Sequence, residues 1–118
     1  MRMLRIGLCQ INTIVGDIEG NTKKILDYIE KGTGQGADLL VFPEMAITGY
    51  PPEDLLLMPK FIEANLKAIK RIAKATSSIT AIVGFVDKDG DIFNAAALLH
   101  HGKMIEIICP TLGSCKAT

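Results

Sequence analysis

The chain lacks an excess of charge of either sign and lacks a long apolar run. Thirteen basic and thirteen acidic side chains cancel across 118 residues. Because nucleic-acid binding needs a basic surface, this balance argues against a nucleic-acid partner. No apolar stretch reaches the length that spans a bilayer, and the basic start is not followed by a signal-peptide core. We therefore expect a cytoplasmic protein of one modest domain, without a membrane partner.

Cysteine is also scarce, with only Cys9, Cys109 and Cys115 in the chain. An odd number cannot form a complete disulfide framework, and the spacing of the last two matches no common zinc site. Three reduced thiols are expected, with Cys9 packed among apolar neighbours in a strand. Nor is there a glycine loop of the kind that cradles phosphates, so nucleotide binding is not expected here.

Apolar runs and turn residues predict the order β-α-β-α-β-β-β. Strands are predicted at residues 4–11, 38–42, 79–86, 92–100 and 104–108, and helices at 22–32 and 59–75. Asn21 is the expected cap of the first helix, and Asp89-Gly90 and His101-Gly102 are the expected hairpin turns. A βαβαβ start followed by hairpins predicts an α/β fold, with a mixed sheet that carries helices on at least one face.

The most informative segment is the long loop at residues 43–58, which starts where the apolar run Leu39–Phe42 ends. It places Glu44 directly after a buried strand, where α/β folds often hold reactive groups. A lone carboxylate after a strand is more often a solvated surface group. The loop is rich in apolar residues, so we expect it to pack against a neighbouring surface.

Several motifs together resemble the carbon–nitrogen hydrolase (nitrilase) superfamily. They are the run at residues 36–44 that ends in Phe42-Pro43-Glu44, the run Thr48-Gly49-Tyr50-Pro51-Pro52-Glu53-Asp54, and Phe93-Asn94-Ala95-Ala96. Within the superfamily the likeness is to the glutaminase domain of glutamine-dependent NAD synthetases, and it extends from about Leu4 to Ile108. The resemblance implies a four-layer α-β-β-α sandwich. This chain would supply one part of it, a mixed sheet with helices on its outer face.

The resemblance also implies a chemistry. Members of the superfamily hydrolyse amide-like bonds with a cysteine nucleophile, a glutamate general base and a lysine that stabilises the oxyanion. By matching position, Glu44 would be the catalytic base. Glutamine would be the substrate, and the ammonia would pass to a second, ATP-using domain for NAD synthesis. ATP and Mg²⁺ are expected only in that synthetase domain, so no cofactor or metal is expected in this chain.

The likeness ends abruptly after Ile108. Aligned without gaps, Pro110 stands where the family has its lysine, and neither Lys116 nor Cys115 has the sequence context of the missing catalytic groups. We therefore expect residues 1–108 to be a partial glutaminase domain and residues 109–118 a divergent tail. Such an N-terminal fragment would be inactive alone.

Exposed apolar faces and unpaired strand edges would favour a homo-oligomer of this partial domain. Two alternatives remain open. The chain could belong to another amidase of the superfamily, or it could be a non-enzymatic remnant that packs against a partner.

Overall fold

The computed structural model describes residues 3–108. Along the chain its elements are β1 (Ile6–Leu8), α1 (Ile18–Gly34), β2 (Leu39–Val41), a short 3₁₀ helix (Glu53–Leu57), α2 (Pro59–Lys74), β3 (Thr80–Asp89), β4 (Asp91–His100) and β5 (Lys103–Ile108). The predicted order of strands and α-helices is confirmed. The 3₁₀ helix was not predicted, and it gives part of the long loop a regular conformation.

The five strands form one sheet in the order β1-β2-β3-β4-β5. The first three strands are parallel, and β3, β4 and β5 pair antiparallel. Parallel neighbours need a crossover connection, which α1 and α2 provide, whereas antiparallel neighbours are joined here by tight turns. The predicted α/β class with a mixed sheet is therefore confirmed.

Both helices pack on one face of the sheet. The inward side chains of β3 and β4 share one buried cluster with Ile25 and Ile29 of α1 and with Ile69 and Ile72 of α2. The strand residues in that cluster are Ala81, Val83, Phe85, Ala95, Ala97 and Leu99. Their alternation follows the two-residue period of a strand, and the paired register places facing members side by side.

The opposite face of the sheet, here called the open face, is apolar, and no helix of residues 3–108 packs on it. Cross-strand pairing places on it Ile6, Leu8, Leu39, Val41, Ile82, Ala96 and Leu98. Ile6 and Leu8 are 54% and 75% exposed. Apolar surfaces of this size are uncommon on soluble monomeric proteins.

Two local predictions are wrong. The first strand is three residues long rather than spanning 4–11, and it is exposed because it lies at the sheet edge with Leu8 on the open face. Asn21 does not cap α1; Asp17 does, by accepting a hydrogen bond from the Gly20 N–H at 3.0 Å. The hairpin turns are confirmed, since Gly90 and Gly102 have φ values of 76° and 74°.

Candidate active site

Glu44 lies just beyond the end of β2, on a segment that still runs along β3. The Phe42 N–H donates to the Ile82 carbonyl at 2.9 Å, and the Ala46 N–H donates to the Gly84 carbonyl at 3.0 Å. Glu44 is therefore held between two backbone hydrogen bonds to the same strand. A loop residue fixed in this way has little freedom, which suits a group that must act at a defined position.

Gly84 lets this segment approach the sheet closely. A Cβ atom built on Gly84 would lie 2.3 Å from the Pro43 carbonyl oxygen, 2.6 Å from the Met45 nitrogen and 2.8 Å from the Glu44 Cα. These are backbone atoms and cannot rotate away. The absence of a side chain at Gly84 is thus what allows the Glu44 backbone to lie against β3.

The Glu44 carboxylate contacts one side chain of β4. Asn94 Nδ2 donates a hydrogen bond to Glu44 Oε1. Both residues line a shallow cavity of about 200 Å³, together with Phe42, Pro43, Gly84, Ala95 and Ala96. Glu44 is exposed to solvent, yet it faces this cavity and does not extend freely into water.

Asn21 supports the loop that carries Glu44. Its wholly buried side chain accepts from the Ile14 N–H at 2.8 Å and donates to the Ile14 and Ile47 carbonyls at 2.8 and 2.9 Å. The Gly16 N–H adds a bond to the Thr48 carbonyl at 2.9 Å. The segments before α1 and after Glu44 are therefore joined, and residues 45–49 are buried as the loop's composition predicted.

A second buried asparagine, Asn65 of α2, supports the neighbouring part of β3. Its Oδ1 accepts from the Val86 N–H at 3.1 Å, and its Nδ2 donates to the Val86 carbonyl. Val86 packs in a small apolar cluster with Met45, Leu56 and Ile62. The strand edge that β2 leaves unpaired is in this way covered by the loop and by α2.

Cys9 is the one cysteine within the described residues 3–108, and it does not belong to this site. It is 6% exposed and packs in the cluster beneath the helices, which confirms the expected core position. Burial raises the pKa of its thiol above the ordinary value of 9.0. A buried thiol that holds its proton is a poor nucleophile.

The remaining candidates are scattered. Glu53 and Asp54 are exposed on the 3₁₀ helix, His101 is exposed at a turn, and the His100 Nδ1 lies 2.8 Å from the Thr80 hydroxyl. Pro110, Cys115 and Lys116 lie outside the described residues. Between residues 3 and 108 no cluster of three or more His, Cys, Asp or Glu side chains could hold a metal ion.

Sequence reasoning included Asn94 in a motif but gave it no role, and it gave Asn65 no role at all. The pattern Phe93-Asn94-Ala95-Ala96 carries a signal, because a polar residue interrupts an otherwise apolar strand.

Neither helix of the described part is long and apolar enough to cross a membrane.

Comparison with known proteins gives consistent results. The family profile described as carbon–nitrogen hydrolase matches residues 5–113. The glutamine-dependent NAD(+) synthetase of Thermotoga maritima is 41% identical over 109 residues, which cover 91% of this chain and 19% of that protein. The corresponding protein of Xanthomonas campestris is 44% identical over 103 residues, covering 86% of this chain and 19% of that protein.

Solved structures agree with the sequence matches. A glutamine-dependent NAD(+) synthetase from Cytophaga hutchinsonii superposes with a TM-score of 0.84 at 32% identity, covering 88% of this chain and 18% of that one. An amidase from Nesterenkonia shares the fold, with a TM-score of 0.77 at 24% identity over 89% of this chain and 42% of its own. The chain thus spans about a fifth of the length of the curated relatives it matches.

Proposed function

This chain belongs to the carbon–nitrogen hydrolase family, and we propose that residues 1–108 form the part of a glutamine-hydrolysing domain that holds its general base, Glu44. The observation that carries the proposal is the position of the Glu44 carboxylate just beyond the end of β2. It faces a cavity, and its Oε1 accepts a hydrogen bond from Asn94 Nδ2. The similar proteins are named as glutamine-dependent NAD(+) synthetases. The ammonia released would therefore serve ATP-dependent NAD synthesis, with ATP and Mg²⁺ bound by a separate domain.

The proposed step is a proton transfer followed by acyl transfer. Glu44 takes the proton of a cysteine thiol, and the thiolate attacks the side-chain carbonyl carbon of glutamine. Collapse of the intermediate breaks the C–N bond, and the nitrogen leaves as ammonia with the proton that Glu44 returns. Water then releases glutamate from the thioester.

The chain alone is proposed not to complete this step. Cys9 packs among apolar side chains beneath the helices, and Glu44 lines a cavity with residues of the open face. Pro110 occupies the position that matches the family's lysine, and proline cannot stabilise an oxyanion. The family profile extends to residue 113, and we propose that residues 109–118 nevertheless form a divergent tail, because the catalytic lysine position is lost within them.

We expect the isolated chain to associate with itself through the open face. Leu8, Ile82 and Leu98 share a paired row across the sheet, and Leu8 is 75% exposed. Packing this row of side chains against a second copy of the chain would remove apolar surface from water. Sedimentation velocity should show a dimer or larger species that Leu8→Lys shifts toward the monomer; a monomeric wild-type chain would contradict this.

Fragment complementation tests the proposed function. The partner is the Thermotoga maritima relative truncated to remove only the segment that matches residues 1–108, so that the family's lysine position and everything after it stay in the partner. Ammonia release from glutamine is measured for each piece and for the mixture, with co-purification as the measure of assembly. Turnover is expected only in the mixture.

Variants identify the base. Glu44→Gln should abolish turnover of the mixture without preventing assembly. Glu63→Gln, on the exposed face of α2, is the matched control and should retain it. Wild-type turnover with Glu44→Gln, or turnover by the chain alone, would contradict the proposal. An assembled but inactive mixture would favour the non-enzymatic remnant.

A further inference from the structure

We propose that Asn94 is a positioning residue for Glu44, which holds one carboxylate oxygen so that the other faces the reacting group. The inference rests on the proposed function, in which Glu44 is the base. It starts from the contact between Asn94 Nδ2 and Glu44 Oε1, which joins side chains 50 residues apart in the sequence. This hydrogen bond joins two side chains, and one of them is Glu44, the candidate base.

The chemistry of the contact fixes the orientation of the amide. A carboxylate offers only acceptors, so the nitrogen of Asn94 and not its oxygen must face Glu44. With Oε1 engaged, Oε2 is left to receive a proton. Asn94 pairs with Val86 in the middle of the β3–β4 ladder, and a strand holds a side chain more rigidly than a loop does.

The two buried asparagines, Asn21 and Asn65, show what a structural role looks like in this fold. Asn21 and Asn65 each use both ends of the amide, and their partners are backbone groups of a loop or strand edge. Asn94 differs in both respects. It bonds a side chain, and its buried Oδ1 has no partner among the described residues.

An unpaired buried acceptor is unfavourable, since it has lost its bonds to water. An apolar residue at position 94 would fit a strand whose neighbours are Phe93 and Ala95 and would avoid that cost. The polar side chain is therefore explained by what its nitrogen does. That function is to orient Glu44, and the stability of the strand does not require it.

Nuclear magnetic resonance on the 118-residue chain tests the contact directly. The Asn94 side-chain NH₂ signals should move as the Glu44 carboxylate is protonated, and Glu44→Gln should remove that movement while Glu63→Gln leaves it. The two γ-methylene protons of Glu44 should have distinct shifts in the wild type and nearly equal shifts in Asn94→Ala, where the side chain gains freedom. Leu98→Ala, on the same face of β4, is the matched control and should leave the Glu44 signals unchanged.

Turnover in the complementation mixture adds a second readout. Asn94→Ala should lower kcat by about 10- to 100-fold with KM unchanged, because misplacement of a catalytic group by ~1 Å costs up to about 10²-fold. Asn94→Asp, which keeps the shape but places a second carboxylate against Glu44, should be at least as impaired. It also serves if the alanine variant fails to fold.

The outcomes separate the two proposals. Glu44 signals that do not change in Asn94→Ala would overturn the positioning role whatever the turnover, and so would a wild-type kcat for Asn94→Ala in an assembly that Glu44→Gln inactivates. In that second case the proposed function still stands. Full turnover with Glu44→Gln would instead defeat the proposed function.

Discussion

Replacing Gly84 by alanine perturbs the candidate site without touching any polar group. The added methyl would sit 2.3 Å from the Pro43 carbonyl oxygen and 2.8 Å from the Glu44 Cα, both far inside van der Waals contact. Neither neighbour is the end of a flexible side chain. Either β3 or the segment that carries Glu44 must therefore move.

The size of the effect follows from opposing terms. Forcing one methyl into a well-packed site costs about 1–3 kcal/mol. Loss of the bond from the Ala46 N–H to the Gly84 carbonyl, now 3.0 Å long, would add about 0.5–1.5 kcal/mol. Replacing glycine also reduces the conformational freedom of the unfolded chain, which offsets about 0.5–1 kcal/mol of this loss of stability. We expect a net decrease of about 0.5–4 kcal/mol in the free energy of unfolding.

Urea denaturation followed by circular dichroism measures this change. Gly34→Ala is the matched control, because a Cβ at Gly34 would meet nothing within 4 Å and the residue ends α1. That variant should be neutral or more stable by up to about 1 kcal/mol. Gly84→Ala should also shift the Asn94 side-chain amide signals. Equal stability of Gly84→Ala and wild type, with unmoved Asn94 signals, would refute the close-approach argument.

Three further predictions concern other parts of the molecule. Asn21→Ala leaves the Ile14 N–H and the Ile14 and Ile47 carbonyls without their partner, so the free energy of unfolding should fall by about 2–4 kcal/mol, against no change for the exposed control Asn12→Ala; a loss below about 0.5 kcal/mol would exclude this bridging role. Burial raises the Cys9 pKa, so the unfolded chain loses this proton first and stability should fall as pH rises from about 9.0 through the folded value. In a Cys109→Ser/Cys115→Ser background, Cys9→Ala should flatten that fall, and an identical pH slope would disprove the assignment. The Arg71–Glu19 ion pair is 3.1 Å long, and its side chains are 50% and 64% exposed. Arg71→Gln should therefore change the free energy of unfolding by less than about 0.5 kcal/mol. A loss above about 1 kcal/mol in urea denaturation would contradict this.

Local signals in the sequence were enough for the second half of the sheet and for α2. Pro59 starts α2, and Gly90 and Gly102 supply the positive φ values that the two hairpin turns need. Those features depend on neighbouring residues, so single-sequence reasoning finds them. The prediction of the first strand was wrong because the burial of that strand depends on what covers the open face. No local sequence pattern reports what covers that face.

The asparagines show the limit on the site. Asn21 stands before an apolar helical pattern and so resembles a cap, but its partner Ile47 lies 26 residues away. Asn94 stands in a strand, and its partner Glu44 lies 50 residues away. A role set by a distant contact cannot be found from spacing in one chain. Glu44 itself was found only because the motif around it resembles a known family.

The position of Glu44 links association to chemistry. Gly84, Asn94 and Ala96, which line its cavity, alternate onto the same side of the sheet as Ile82 and Leu98 of the open face. Any protein layer that covers the open face therefore also reaches the mouth of this cavity. Excluding water there would strengthen the attraction between the Glu44 carboxylate and the thiol proton that it is proposed to take. We therefore expect Leu98→Lys to reduce assembly and turnover together in the complementation mixture while leaving the Asn94–Glu44 signals intact. Loss of assembly with full turnover would break this link.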